Sequence, residues 1–286
     1  MEGNEPTLCF PDNRKTCFAC CPPIRPAGYE HILYAGMIKR ILRENTTAFD
    51  PEERTIRPIT GFSCWALGYL DPDFRLVGCL LHPARHGDED LRFRIDYGEK
   101  CRRETCPEAR IFDRLDPDTR VFWLHLADGL DAFSYSSRTQ NPLFHLLNWG
   151  PELLTMVAGD APQAVHSARS LAETYPFFTS PLHPRATAWP VARLILLRGT
   201  GLLRNPAFAL RLVPFLAALD DDLRKEAGPC PDPPSAPAVH RLPDDPAFLN
   251  FLRLYAGIQR LTLERARFLK ERADRSLSQF AQHLVF

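Results

Sequence analysis

Cys17-Phe18-Ala19-Cys20-Cys21-Pro22-Pro23 gathers three thiols within five residues and then stiffens the chain with two prolines. Working outward, Cys9 lies just before it, and Cys64, Cys79, Cys101 and Cys106 follow. Eight of the nine cysteines therefore precede residue 107, and only Cys230 lies beyond. Thiolates are the natural ligands of zinc and of iron–sulfur clusters, and four of them commonly complete a site. The N-terminal third thus reads as a metal-thiolate domain, with Cys9, Cys17, Cys20, Cys21, Cys64, Cys79, Cys101 and Cys106 as candidate ligands. His82, three residues after Cys79, is a ninth, although a histidine before a proline also caps turns. Eight thiols and His82 are enough for two four-ligand sites, or for one site with spare cysteines.

Zinc knuckles usually use two Cys-x2-Cys pairs, and Cys17/Cys20 is the single such pair here. Adjacent residues such as Cys20 and Cys21 point apart in most backbone conformations, which makes joint ligation of one zinc awkward. A cluster several ångströms across accepts that spacing more easily, and Cys21-Pro22 and Cys106-Pro107 echo the Cys-Pro step of ferredoxins. The spacing favours an iron–sulfur cluster, with zinc as the alternative. Arg14, Lys15, Lys100, Arg102 and Arg103 flank the thiols and would offset thiolate charge. The run His86 to Arg94 is either a solvated loop or a polar pocket, in which Arg92 or Arg94 binds a carboxylate or phosphate.

Charge is balanced at 35 basic against 35 acidic residues, so no broad basic face is implied and nucleic acid is not an expected partner. The opening Met1-Glu2-Gly3-Asn4-Glu5-Pro6 has neither a basic nor an apolar signal region, and no apolar run reaches membrane-span length. A cytoplasmic location follows, and in that reducing compartment clustered thiols read as ligands rather than disulfides.

The expected fold is mainly α, with an irregular, Cys-rich metal-binding N-terminal domain over 1–110 holding a few short strands. A helical domain over 111–286 completes it. Ile32, Leu33, Ile38, Ile41 and Leu42 predict a helix. Two apolar runs, 62–70 and 75–81, flank Asp71-Pro72-Asp73 and predict a hairpin. Helices are expected near 118–130, 141–158, 161–174, 186–199 and 206–226. A proline-rich loop over 228–246 precedes one long final helix from Phe248 towards Leu284.

The order of cysteines resembles the YkgJ-like family of zinc- or iron-chelating cysteine-cluster domains, over about residues 9–106. Cys17, Cys20 and Cys21 match its opening cluster, and Cys64 stands ahead of Leu70-Asp71. Gly78-Cys79-Leu80-Leu81-His82-Pro83 with Arg85 follows, then Cys101. The chain departs from that family in lacking its Arg-Pro-x-x-Cys-Arg run, and Cys106 is extra. The resemblance implies metal chelation. Flagellin lysine methylases carry a similar cluster, so it also implies methyl transfer, although 107–286 contains no methyl-donor signature. Two readings remain: an accessory protein whose helices bind a protein partner, or an iron–sulfur redox or protein-modifying enzyme.

Overall fold

The computed structural model describes residues 6–21, 26, 28–61, 63–103, 105–228 and 237–284. Cys230 and much of the proline-rich 228–246 segment lie outside them. The fold is mainly helical, with one two-stranded sheet, and divides into compact units at Met1–Phe144 and His145–Phe286.

In the first unit the N-terminal arm leads through a 3-10 turn, His31–Tyr34, into α1, Ala35–Ala48. Ile38 and Leu42, one turn apart, form the fully buried face of α1. Next come β1, Leu67–Tyr69, and β2, Val77–Cys79, an antiparallel pair that sets Leu67 opposite Cys79. Asp71 makes the intervening turn: its carboxylate accepts from the amides of Arg75 at 2.9 Å and Leu76 at 2.6 Å. The expected hairpin is therefore present, reduced to three residues a side. Gly68 faces Gly78, and a Cβ on Gly68 would come 2.7 Å from both Leu80 Cδ1 and Thr46 Oγ1, so α1 lies close against the sheet.

The segment after His82 is more ordered than its charge suggests. It forms 3-10 turns at Pro83–Arg85 and Leu91–Arg94, then the short helix α2, Gly98–Arg103. Leu91 and Ile95 enter the same apolar cluster as Phe18, Ile38, Leu42, Leu67 and Phe133. Helices α3, Pro107–Phe112, α4, Pro117–His125, and α5, Ala132–Tyr135, follow.

These last helices belong to the first unit, which extends past the boundary expected at 110. Two long-range ties explain it. Phe133 packs edge-on to Phe18, with ring centroids 5.2 Å apart. The Glu30 carboxylate accepts from the Thr139 amide at 3.1 Å, from the Thr139 hydroxyl at 2.9 Å, and from Ser137 Oγ.

The second unit follows helix α6, Leu143–Leu146, and centres on α9, Pro184–Arg198. Ten of the fifteen residues of α9 are buried, so neighbours surround it. Trp189 sits 4.8 Å from the Phe248 ring and 5.7 Å from that of Phe251. Helices α7, Pro151–Asp160, and α10, Gly201–Arg204, pack on it, while α8, Ala168–Thr174, and α11, Ala207–Ala227, complete the unit. The expected helix over 141–158 is interrupted by Gly150, whose φ of +87° only glycine adopts cheaply.

The long final helix also differs from expectation. It is α12, Pro246–Asn250, running into a π turn, Phe251–Tyr255, and then, after a break, α13, Leu263–Gln282. Gly257, with φ +68°, makes the break, and Thr262 restarts the helix by accepting from the Arg265 amide at 3.2 Å. Ala266, Leu269, Ala273, Leu277 and Ala281 then form the buried stripe of α13. Among the described residues no helix is long and apolar enough to cross a membrane.

Candidate metal centre

An arm rich in prolines and thiols has little apolar surface with which to fold, so its backbone must be tied down by polar bonds. The Leu8 carbonyl accepts from Tyr135 Oη at 2.9 Å. The Phe18 amide donates to Ser136 Oγ at 2.9 Å, and the same hydroxyl donates to the Thr16 carbonyl at 3.2 Å. Thr16 Oγ1 in turn donates to the Val77 carbonyl at 2.5 Å and accepts from its amide at 3.0 Å. The loop between Cys9 and Cys17 closes on itself, with the Cys17 amide donating to the Cys9 carbonyl at 2.9 Å. Asp12 organises that loop by accepting from the amides of Arg14 and Lys15.

A second region holds the later thiols. Asn45 on α1 donates from its side-chain amide to the carbonyls of Cys64, at 3.2 Å, and Leu67, at 2.8 Å. The Leu67 amide closes a turn on the Cys64 carbonyl at 3.0 Å, and the pairing of β1 with β2 brings Cys79 across from Leu67. Arg92 reaches over to the Cys101 carbonyl at 3.3 Å. Cys64 is buried, and Cys21, Cys79 and Cys101 pack partly buried against the apolar cluster that contains it. By contrast Cys9 and Cys20 are exposed.

Electrostatics group the thiols in much the same way, except that Cys20 couples to both groups. Burial, with Cys79 and Cys101 nearby, pushes the Cys64 thiol up to about 12. Burial and Cys101 raise Cys79 to about 11, against the opposing pull of Arg92. Cys21 is raised by a hydrogen bond with the Cys20 side chain, by burial, and by Cys20, Cys79 and Cys64.

Elsewhere, burial with Cys20 and Cys106 pushes Cys9 up to about 12, although one side of it meets solvent. Burial raises Cys17 strongly, with Cys9, Cys20 and Cys106 adding to it. Cys106 rises to about 11 through burial, Glu108 and Cys20, with Arg138 pulling it down. Two quartets emerge: an outer one of Cys9, Cys17, Cys20 and Cys106, and an inner one of Cys21, Cys64, Cys79 and Cys101.

All eight are thiols rather than disulfides. Among the described residues no three His, Cys, Asp or Glu side chains converge in ready-made metal geometry. The quartets are neighbourhoods, not preformed cages. As a donor set, four neighbouring thiols suit a tetrahedral zinc or a cubane cluster. Such a cation would reverse the present preference for the protonated thiol and expel the protons.

His82 is tied to the inner group, its amide donating to the Cys79 carbonyl at 3.3 Å. Its Nδ1 accepts from the Ala84 amide at 3.3 Å, which caps the 3-10 turn, and burial followed by Arg92 lowers its pKa.

Neither arginine of the charged run reaches out to solvent for an anion. Arg92 forks onto Asp90, at 2.8 Å from Nε and 2.9 Å from Nη2, besides its bond to Cys101. Arg94 is buried, donates to the Asp50 carbonyl at 2.9 Å, and lies over the rings of Phe49 and Trp65. The small cavity beside Arg94 is also lined by Asp50 and Glu53, which balance the cations Arg57 and Arg94.

The residues that position the thiols, namely Thr16, Asn45, Tyr135 and Ser136, are not legible as such in the sequence. Polar residues of common types, they act on partners as far as 127 residues away. The His82–Pro83 cap, in contrast, has a local signal. No family model, curated protein or solved structure matches this chain.

Proposed function

We propose that this chain is a cytoplasmic metal-binding protein whose N-terminal unit carries a Cys-ligated iron–sulfur cluster or zinc. In this reading it serves as an accessory or interaction protein. The observation that carries the reading is the gathering of eight thiols, from segments spanning residues 9 to 106, into two neighbourhoods of one unit. The resemblance to YkgJ-like domains points the same way. The helical unit supplies surface for a protein partner: Leu196, Leu197 and Leu210 are exposed there.

The thiols would hold the metal and exclude water through burial, while Arg92 and Arg138 would offset thiolate charge at Cys79 and Cys106. A bound cluster or zinc would supply either electron transfer or a structural cross-link. A second reading, a redox or protein-modifying enzyme of the flagellin lysine methylase kind, is favoured by the solvent exposure of Cys9 and Cys20.

The test is anaerobic purification followed by assay of iron, acid-labile sulfide and zinc per chain, with the visible spectrum. Iron matched by sulfide and a broad absorption in the blue supports a cluster. Stoichiometric zinc without colour supports a structural site. Absence of both from protein purified and reconstituted without oxygen would refute the metal reading.

A further inference from the structure

Helix α11 buries one face through Phe208, Leu212, Leu216, Leu219 and Leu223, and Phe215 on its flank stacks on Phe280 of α13 with ring centroids 4.1 Å apart. The opposite face is open to solvent. At 3.6 residues per turn Leu210, Pro214, Ala217 and Asp221 fall along one line of it, with Val213 and Ala218 to either side. All six are exposed, Leu210 by 78% and Val213 by 42%. The solvent side of a helix is ordinarily polar. From Leu210 to Ala218, however, Arg211 is the one charged residue, and it stands at the start of the stretch. The next turns of the same helix return to the usual pattern with Asp221, Arg224 and Lys225, so the apolar stretch is local. Contiguous exposed apolar surface of this kind marks a contact.

Resting on the interaction-protein part of the reading above, we propose that this face docks a second copy of the chain, the two α11 helices packing antiparallel across a two-fold axis. The charges select that occupant. Arg211 closes one end of the apolar stretch and Asp221 the other. Antiparallel helices exchange their ends, so each copy's Arg211 lies toward the other's Asp221, and two identical ion pairs bracket the contact. A parallel pairing would set arginine against arginine and aspartate against aspartate. The neighbouring Asp220 and Asp222 are engaged by Arg224 at 2.7 Å and Arg272 at 2.6 Å, whereas Asp221 lies on the exposed face. Antiparallel packing also sets the two helix dipoles in opposition, and the small Ala217 and Ala218 let the helices approach. Leu210 to Asp221 spans about 17 Å of helix, so the contact falls below the roughly 800 Å² per partner of a standard interface and the dimer is weak and reversible.

Sedimentation equilibrium of the full chain over a wide range of concentration, under anaerobic conditions, tests this. The mass of the parent protein is expected to climb from one chain towards two as concentration rises. Leu210→Glu is expected to hold it at one chain throughout. Arg211→Asp sets acid against acid and should weaken association by about tenfold or more. The double reversal Arg211→Asp/Asp221→Arg should restore it, because the pairs re-form with their signs exchanged. All three positions are exposed, and circular dichroism checks that each variant keeps its fold. A parent that stays at one chain leaves the face to a different protein and overturns the inference. So does a dimer indifferent to Leu210→Glu, or a double reversal as weak as the single. Metal assayed on the same samples separates the two readings: a metal-loaded parent that never dimerises overturns the dimer alone, and a metal-free parent that dimerises as described overturns the metal reading alone.

Discussion

The thiols of Cys20 and Cys21 hydrogen-bond to one another, with Cys20 exposed and Cys21 packed partly buried against the apolar cluster. On the metal-binding reading, replacing both with serine is expected to cost metal and to loosen residues 9–106. Metal content and limited proteolysis check this. Full metal content with unchanged stability would show that neither residue is a ligand.

Ser136 links the arm to the rest of its unit by accepting from Phe18 and donating to Thr16. Ser136→Ala leaves a buried amide and a buried carbonyl without their partner, at about 1–3 kcal/mol for each group left unsatisfied. Urea denaturation should show a lower midpoint with unchanged slope. Because both bonds sit beside Cys17, thiol labelling of the arm should also quicken.

Gly98 has no room for a side chain: a Cβ would stand 2.2 Å from the Arg92 carbonyl oxygen. Gly98→Ala must therefore displace the backbone of Arg92, and with it the bond to Cys101. The expected result is a loss of stability together with impaired metal retention at the inner quartet. Unchanged metal retention in this variant would disconnect Arg92 from the site.

Arg94 is a buried strut rather than an anion receptor. Arg94→Ala removes its bond to the Asp50 carbonyl and its stacking on Phe49 and Trp65, and should cost about 1.5–3 kcal/mol, the scale of a hydrogen bond to a charged group. Inorganic phosphate should not raise the melting temperature of the parent protein. A phosphate-dependent rise abolished by this substitution would restore the anion-binding role.

In the helical unit Arg272 grips Asp222 with two bonds, at 2.6 and 2.7 Å, and this hydrogen bonding holds the carboxyl below its ordinary range. A lowered folded-state pKa contributes stability above the unfolded value of about 3.9 and loses it as pH falls through the lowered one. Asp222→Asn should therefore melt slightly below the parent at neutral pH, and the two curves should converge in acid. A gap that persists unchanged at low pH would exclude the charge as its cause.

The hairpin is legible in the sequence because Asp71-Pro72-Asp73 is a local turn signal between two apolar runs. Helices α9 and α11 are legible from their spacing and length. Pro190 and Pro214 lie inside those two helices, where proline usually breaks the ladder, so burial of the surrounding residues overrides the local preference. The break at Gly257 escapes the pattern although its signal is present, since the apolar stripe runs on across it. The division of thiols into quartets has no local signal at all. It depends on which backbone lies beside which, and Ser136 meets Phe18 across 118 residues of sequence.

That separation sets a timetable for the ribosome. The arm emerges before Phe133, Tyr135 and Ser136, which hold it and follow more than a hundred residues later. At about 5–20 residues per second, the thiols spend several seconds or more exposed before their anchor exists. Cys9 to Cys21 are thus vulnerable to oxidation and to stray metals while the chain is being made.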